Sequence, residues 1–507
     1  IFALMLLSGC ASIDFDYPRT ESTAVPIADT AETAMGRIVM PIVAAQPDGE
    51  SGFYPLSDGI DALSMRLLLA SRAEQTIDAQ YYLIKNDIVG RAFIRTLLRA
   101  ADRGVRVRLL LDDVFTSGYD AGMMALDSHP NFEIRIYNPF NRGAVGRSLG
   151  AATSLSRVNR RMHNKTFTID NQVTIIGGRN IADEYFGARE DARFGDLDVV
   201  GMGPIVQEVS AMFDTYWNHE TAIPVPAFLP PLEDPEAALN QLRTALEDDL
   251  NEIMNSRYAE AVRDRLLEQI ETDPSVFTWA PYELVFDSPD KGIRGKASDE
   301  ELITASLRES LLGAEEEILI ISPYFVPRKR GIEAFSNLQA SGVDITVITN
   351  SLAANNQSSV HGGYAPARKP LLKNDIRIFE IRPDIEVAGT EYIDTSNGRA
   401  TLHTKAYVVD QEHVFIGSFN FDPRSANLNT ELGVIIHDAE MGSYLADRVD
   451  EALPTAAWEV FLNGDGNIRW RGTDGGELVI YDKEPKTTWG QRFMAGFYRI
   501  LPIRGQL

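Results

Sequence analysis

Two segments of the chain carry the same spaced set of histidine, lysine and aspartate. HNKTFTID (residues 163–170) and HTKAYVVD (residues 403–410) both read His-x-Lys-x4-Asp. An imidazole can attack an electrophile or transfer a proton near neutral pH, and a lysine ammonium supplies fixed positive charge. A charged lysine does not ligate a divalent cation, and the sequence has neither a Cys/His cluster with zinc spacing nor a His-Glu-x-x-His motif. The pattern therefore predicts chemistry on an anion with a scissile bond, without a metal or another cofactor.

The sequence that follows each motif is repeated as well. IGGRN ends at Asn180 and IGSFN ends at Asn420, and each asparagine lies 17 residues after its motif histidine. On a strand, the His and Lys of a motif face one side and the Asp faces the other, because side chains alternate. We therefore interpret the two aspartates as structural members of the motifs. The motif residues of the candidate site are His163, Lys165, Asp170, His403, Lys405 and Asp410.

Each motif closes a similar series of predicted elements, which indicates an internal duplication. Strands separated by helices precede the first motif, and the same order recurs before the second. The predicted strands are 76–84, 105–113 and 132–140 in the first half, and 317–326, 344–352 and 376–383 in the second. A chain of 507 residues is also too long for one ordinary core. The fold class is therefore predicted to be α/β, with two similar lobes.

Composition and periodicity divide the chain further. A Pro-rich stretch between the halves predicts a linker with amphipathic helices, and TTWGQRFMAGFYRILPI predicts a helix that docks on the core or faces a membrane. The predicted divisions are 1–10 (the end of a signal peptide with a lipid-attachment site), 11–50 (a tether), 51–220 (first lobe), 221–275 (linker and helices), 276–450 (second lobe) and 451–507 (C-terminal extension).

The formal net charge of −25 argues against a nucleic-acid partner, because the field of the protein repels polyanions. An anionic headgroup would need a local cluster of positive charge. Arg157, Arg160 and Arg161, just ahead of the first motif, are candidates for that cluster, and a solvated surface is the alternative.

The single cysteine, Cys10, follows an apolar run in IFALMLLSGCAS. Leu7-Ser8-Gly9-Cys10 resembles the lipobox of bacterial lipoproteins, in which the cysteine sulfur carries a diacylglyceryl group. A plain secretory signal with an accidental cysteine is the alternative, but a cell-envelope protein with no second cysteine has no disulfide use for this one. By the same resemblance, Ala11 after the cysteine favours the outer membrane, with the protein facing the periplasm.

The duplicated motifs resemble the HKD motifs of the phospholipase D superfamily. Longer blocks, among them NRRMHNKTFTIDNQVTIIGGRNIADEYFGA and FIGSFNFDPRSANLNTELG, are similar to the bacterial cardiolipin synthase C group. The resemblance implies a two-lobed phospholipase D fold, a duplicated α/β/α sandwich whose motifs meet at a pseudo-twofold axis. It also implies that one histidine attacks phosphorus, that the other protonates the leaving oxygen, and that the lysines and Asn180 and Asn420 bind the non-bridging oxygens.

In this family a downstream acid fixes the tautomer of each histidine. The candidate acid is Asp196 for His163, with Asp198 as an alternative, and Glu431 for His403. The resemblance alone favours His163 as the nucleophile.

The resemblance implies a metal-independent phosphatidyltransferase that makes cardiolipin from phosphatidylglycerol and a second phospholipid such as phosphatidylethanolamine. Alternatives are a hydrolytic phospholipase D that releases phosphatidic acid, an endonuclease of the same superfamily, and an inactive scaffold. Expected partners are phospholipids at a membrane, while an accessory protein stays open. Aromatic residues at equivalent strand ends are candidate walls of the site: Tyr81, Tyr82, Tyr324 and Phe325.

Overall fold

Two α/β lobes, each built on one large mixed sheet, make up the structure, which is a computed structural model. It describes residues 13–142, 155–189, 191–253, 257–270, 274–386, 398–474 and 476–500. The duplicated, two-lobed α/β prediction is confirmed. The predicted signal peptide and lipid-attachment site at Cys10, together with the last seven residues, lie outside the described residues.

The first part of the chain alternates strands and helices as predicted. Its strands are β1 (Ser51–Leu56), β2 (Thr76–Tyr81), β3 (Arg106–Asp112), β4 (Phe132–Tyr137), β5 (Thr166–Ile169), β6 (Val173–Gly177), β7 (Ala192–Gly195), β8 (Asp198–Met202), β9 (Ala222–Pro224) and β10 (Thr278–Ala280). Its helices are α1 (Ala34–Val43), α2 (Gly59–Arg72), α3 (Ile88–Asp102), α4 (Asp120–Asp127), α5 (Leu155–Val158), α6 (Pro204–Trp217), α7 (Pro235–Ile253) and α8 (Arg257–Ile270).

The second part repeats this order and continues it at its end. Its strands are β11 (Tyr282–Phe286), β12 (Glu317–Ile321), β13 (Asp344–Asn350), β14 (Arg377–Ile381), β15 (Arg399–Leu402), β16 (Ala406–Val409), β17 (His413–Gly417), β18 (Leu432–His437), β19 (Ala457–Leu462), β20 (Ile468–Asp474) and β21 (Glu477–Tyr481). Its helices are α9 (Ile303–Leu312), α10 (Arg328–Ala340), α11 (Ser358–Leu372), α12 (Pro423–Asn427), α13 (Ala439–Ala456) and α14 (Trp489–Ile500).

The two large sheets share one topology. The nine-stranded sheet has the order β10-β1-β8-β6-β5-β2-β3-β4-β9, and the ten-stranded sheet has the order β11-β18-β17-β16-β12-β13-β14-β19-β20-β21. In each, three parallel strands join an antiparallel hairpin that follows the motif histidine and lysine, β5-β6 or β16-β17. Nearly every residue of the central strands RVRLLLD and DITVITN is buried, as expected for parallel strands that are covered on both faces.

An apolar cluster joins the lobes and fixes their relative position. It combines Ile176 and Val199 of the first lobe with Val414 and Ile416 of the second, and all four side chains are fully buried. Because burying such side chains removes apolar surface from water, this cluster makes the interface between the lobes part of the protein core.

Three of the predicted divisions need correction. Residues 13–46 are not a free tether: α1 lies within them, Met35 and Val39 belong to the core of the first lobe, and the buried Arg108 donates a hydrogen bond to Ser22 O at 2.8 Å. The first lobe does not end at 220, because β9 and β10 belong to its sheet. The second lobe does not end at 450, because β19–β21 extend its sheet. Hydrophobic periodicity did not predict these contacts, because short edge strands and segments that dock on the core show little of it.

The aspartate of each motif closes the hairpin rather than facing a site. Asp170 and Asn171 have φ of 49° and 50°, and Asp410 and Gln411 both have 53°, so each pair forms a left-handed turn within the three-residue connection of its hairpin. The carboxylate of Asp170 accepts hydrogen bonds from the backbone N–H groups of residues 74–76, and Asp410 does the same for residues 315–317. This geometry agrees with the structural interpretation of both aspartates.

We expect Asp170→Ala to lower the free energy of unfolding by about 3 kcal/mol and Asp410→Ala to lower it by about 1 kcal/mol. Asp170 is fully buried, whereas Asp410 and two of its three donors are more exposed, so water can replace the second carboxylate more easily. Urea unfolding of both variants measures the difference. Equal losses would contradict this account.

Candidate active site

Each motif histidine is bonded to a carboxylate from the other lobe. The Nδ1 atom of His163 lies 2.8 Å from Oε2 of Glu431, and Nδ1 of His403 lies 2.5 Å from Oδ2 of Asp196. The predicted acids are therefore the right residues, but their predicted assignment to the histidines is wrong. Each acid serves the histidine of the opposite motif.

The backbone crosses between the lobes in the same way. The His163 N–H donates to Thr430 O at 2.8 Å, and the His403 N–H donates to Gly195 O at 2.7 Å. Each of these carbonyls belongs to the residue just before the acid that binds the same histidine. Strand β15, directly before His403, also pairs in parallel with β7 of the first lobe. One local arrangement is thus built twice, by exchange of chain between the lobes.

The two carboxylates are supported differently. Ser418 and Ser425 donate hydroxyl hydrogen bonds to Glu431 at 2.5 and 2.7 Å. Gly178 occupies the position equivalent to Ser418, and a Cβ atom there would lie 2.4 Å from Oδ1 of Asp196. The glycine of IGGRN therefore makes room for the shorter acid, and the serine of IGSFN binds the longer one.

Burial controls the protonation of both pairs. Both histidines are more than nine-tenths buried, which lowers the pKa of His163 to about 4 and that of His403 to about 3. Burial raises the pKa of Glu431 and Asp196, but the paired histidines and nearby lysines outweigh it and lower both to about 2. At neutral pH the site thus holds two carboxylates and two neutral imidazoles. If each Nδ1 donates to its carboxylate, the lone pair is on Nε2.

The motif lysines lie behind the histidines. Lys165 and Lys405 each donate to the backbone carbonyl of their own motif histidine, and Lys405 Nζ also lies 2.7 Å from His403 Nδ1. Burial lowers the pKa of Lys165 well below its usual value and lowers that of Lys405 to about 8. Both lysine side chains are therefore almost fully buried beside the histidines, and an anion bound there would favour their charged forms.

The two histidines open into one shared cavity of ≈ 390 Å³. Its lining residues are Tyr82, Leu83, Lys85, Phe115, His163, Asn180, Glu184, Tyr185, Phe194, Tyr324, Asn356, Gln357, Val360, His403, Asn420, Asp422, Arg424, Ser425 and Asn429. The two predicted asparagines are among them, and the Oδ1 atom of each is buried without a partner. The structure thus brings together both histidines and both asparagines, with the lysines just behind them.

Aromatic rings enclose the histidines. The ring of Tyr82 packs on His163 at 5.0 Å, and Tyr185 and Phe194 of the first lobe contact His403 at 4.9 and 5.4 Å. Tyr82 and Tyr324 line the cavity, whereas their predicted companions Tyr81 and Phe325 point into the core. Sequence reasoning missed Tyr185, Phe194 and Arg424, which follow the motifs on short elements, and Lys85, which follows β2, because none of them belongs to a repeated motif.

Several other sequence candidates lie elsewhere. Arg161 is fully buried and paired with Asp112 at 3.3 Å, and Arg160 donates to backbone carbonyls of the second part of the chain. These arginines, and Arg157 with them, bind the protein itself and do not line the cavity. Asp198, the alternative acid, is paired with two buried arginines, Arg66 and Arg179.

One acidic cluster outside the cavity has the composition of a metal site. His219, Glu220 and Asp290 lie close together, but Lys296 Nζ already lies 2.6 Å from Glu220 and 2.9 Å from Asp290. The lysine ammonium therefore supplies the positive charge there, and the cluster suggests no function.

Comparisons with known proteins agree with this geometry. The family model described as cardiolipin synthase, PLD-like domain matches residues 68–217 and 307–453. The chain is 40% identical to Cardiolipin synthase C of Escherichia coli (strain K12), over 92% of this chain and 98% of that protein. It is 24% identical to a Cardiolipin synthase of Staphylococcus aureus (strain Mu50), over 74% of this chain and 61% of that protein.

The crystal structure of phosphatidylserine synthase from Haemophilus influenzae Rd KW20 has the same fold, with a TM-score of 0.58 at 12% identity over 93% of this chain and 99% of that one. Two matched segments that each contain one motif, and a relative of 40% identity along nearly the whole chain, establish the family. The chain belongs to the cardiolipin synthase family with phospholipase D-like domains.

Proposed function

We propose that the protein is a phosphatidyltransferase that forms cardiolipin through a phosphohistidine. The observation that carries this proposal is the pair of crossed histidine–carboxylate contacts at one cavity. The similarity to Cardiolipin synthase C supports phospholipids as substrates. Phosphatidylglycerol is the proposed acceptor, because its glycerol headgroup offers a hydroxyl, and phosphatidylglycerol or phosphatidylethanolamine is the proposed phosphatidyl donor.

In the first step, Nε2 of His163 attacks phosphorus and the bond from phosphorus to the headgroup oxygen breaks. His403, protonated on Nε2, gives its proton to the departing oxygen. The buried resting histidines are neutral, and the phosphodiester anion raises the pKa of the ring that must become charged. While His403 carries this proton, Asp196 stabilises its imidazolium. Glu431 holds His163 in the tautomer whose Nε2 lone pair attacks phosphorus.

In the second step, a lipid hydroxyl attacks phosphorus, its proton passes to Nε2 of His403, and the nitrogen–phosphorus bond breaks. The reaction needs positive charge on the phosphoryl oxygens but no redox chemistry. Lys165 and Lys405 supply that charge, and Asn180 and Asn420 orient the oxygens. The proposed mechanism is metal-independent because the lysines serve this purpose.

The C-terminal helix supports action at a membrane surface. Helix α14 packs on α11 near Gly362 and leaves Trp489, Phe493 and Phe497 exposed by 73%, 55% and 47%. The sequence predicted that this helix either docks on the core or faces a membrane. Helix α14 has a face for each, because one face packs on α11 and the other is exposed and resembles that of an interfacial helix. Helix α11 also supplies Val360 to the cavity, so α14 lies one helix away from the site. Among the described helices, none has the length and apolar character needed to cross a bilayer.

A lipid anchor at Cys10 would keep the protein at the same surface. The resemblance of its surroundings to a lipobox supports a lipoprotein that faces the periplasm of a bacterial envelope, with the outer membrane favoured.

His163→Ala and His403→Ala are each expected to lower turnover of phosphatidylglycerol by about 10³-fold or more. A donor with a p-nitrophenol leaving group distinguishes their roles, because that group departs without protonation. His403→Ala should release a burst of one equivalent of p-nitrophenol, and His163→Ala should release none. The opposite pattern would assign the nucleophile to His403.

In vesicles of phosphatidylglycerol and phosphatidylethanolamine with excess EDTA, we expect cardiolipin to form faster than phosphatidic acid. Transfer and hydrolysis share one intermediate, so the acceptor that reaches phosphorus decides the product. Mass spectrometry of the products gives the ratio. Predominant phosphatidic acid would identify a hydrolytic phospholipase D, and loss of activity restored by a divalent ion would contradict the metal-independent mechanism.

Replacing Trp489, Phe493 and Phe497 together with alanine should weaken sedimentation with phosphatidylglycerol vesicles roughly tenfold or more, because these rings can no longer bury apolar surface. A Cys10→Ser background removes any acyl anchor. The control replaces Leu478 and Ile480 of β21, which are also 73% and 58% exposed. Equal binding by both variants would contradict a membrane role for α14.

A further inference from the structure

A second cavity opens beside the catalytic cavity, within the first lobe, and its walls are mostly apolar. Its volume is ≈ 290 Å³, near the lower end of the range for small-molecule sites. Leu109, Leu111 and Ile134 of the sheet form its floor, and Ile94 of α3 and Met123 of α4 form two sides. A cavity with such walls favours an apolar ligand.

The two cavities adjoin each other. Tyr82, Leu83, Lys85 and Phe115 line both of them. The Tyr82 ring lies 5.0 Å from the ring of His163 and 5.5 Å from that of Phe115. These two rings are thus the boundary that a molecule with its phosphate at His163 has to pass to reach the apolar cavity.

The cavity is closed by a segment outside the part of the chain that the family model matches. Leu242 and Leu246 of α7 contact the cavity, and α7 lies between the two matched segments. Ion pairs hold this helix on α3, among them Arg95 with Glu247 at 2.6 Å and Arg99 with the same carboxylate at 2.9 Å. The closing helix is thus a fixed part of the lobe.

We propose that this cavity binds one acyl chain of the phosphatidyl donor, an inference that rests on the proposed function. A chain that leaves a bilayer is already in an apolar medium and gains little by entering. For a lipid in membrane, the cavity therefore positions the phosphate at His163 rather than adding affinity. For a short-chain lipid dissolved in water, each buried methylene adds about fourfold to kcat/KM.

The test compares dihexanoyl and dioctanoyl phosphatidylglycerol, both below their critical micelle concentrations. Two further methylenes in the cavity should raise wild-type kcat/KM roughly fifteenfold. Gly122 of α4 lines the cavity, and a Cβ atom there meets nothing within 4 Å, so Gly122→Leu can fill it without a clash. This variant should bring the ratio of the two kcat/KM values towards one. Leu246→Ala enlarges the cavity, so the increase of kcat/KM with acyl-chain length should continue to longer chains than in the wild type.

Gly464→Leu is the matched control, because a Cβ atom there also meets nothing within 4 Å and the site lies in the β19–β20 hairpin. It should keep the wild-type ratio. Normal turnover with the same chain-length ratio in all variants would overturn the inference alone. Absence of turnover with any chain length in the wild type would overturn the proposed function, and the inference with it.

Discussion

The two crossed histidine–carboxylate contacts are the constraint on which the rest of the structure depends. Neither lobe contains a complete pair, since Glu431 serves His163 and Asp196 serves His403. Buried carboxylates are stable only when hydrogen bonds and opposite charges compensate for the loss of water. The lobes must therefore meet with the precision of a hydrogen bond, and the apolar cluster between them provides a fixed interface. A duplicated chain with one shared site follows from this requirement.

The sequence predicted the parts of the fold whose signals are local. The three strands that precede the motif in each half followed from apolar runs separated by helices, and the structure pairs each set in parallel. The exchange of the two acids between the lobes could not be predicted, because each acid follows one motif in sequence but bonds the histidine of the other motif in space. Spacing shows which acids are candidates, but it carries no information on which segments cross between lobes. The arginines ahead of His163 were candidates for binding an anionic headgroup, but they bind the protein itself. A buried, paired arginine and an exposed one have the same signal in the sequence.

The residues of the proposed chemistry and those of the proposed acyl-chain site lie in different parts of this chain. Both histidines, both lysines and Asn180, Asn420, Asp196 and Glu431 lie in the segments that match the family model. Helix α7, which closes the apolar cavity, lies outside them. The reacting groups must keep positions fixed by hydrogen bonds, whereas an apolar cavity can change its depth through single side chains. The same phosphoryl chemistry can thus be combined with different acyl-chain preferences.

The net charge of −25 raises a physical difficulty for an enzyme of anionic lipids, since protein and membrane repel each other. Screening limits that repulsion to about 8 Å at physiological ionic strength, so only charges near the contact surface matter. At the site, Lys85 and Arg424 line the cavity and the two motif lysines lie behind it. On the outside, the exposed face of α14 would gain free energy by burying aromatic surface at a membrane, which needs no positive charge. The proposed membrane contact is therefore compatible with an acidic protein, because it relies on apolar surface, while basic side chains lie at the cavity proposed for the phosphate.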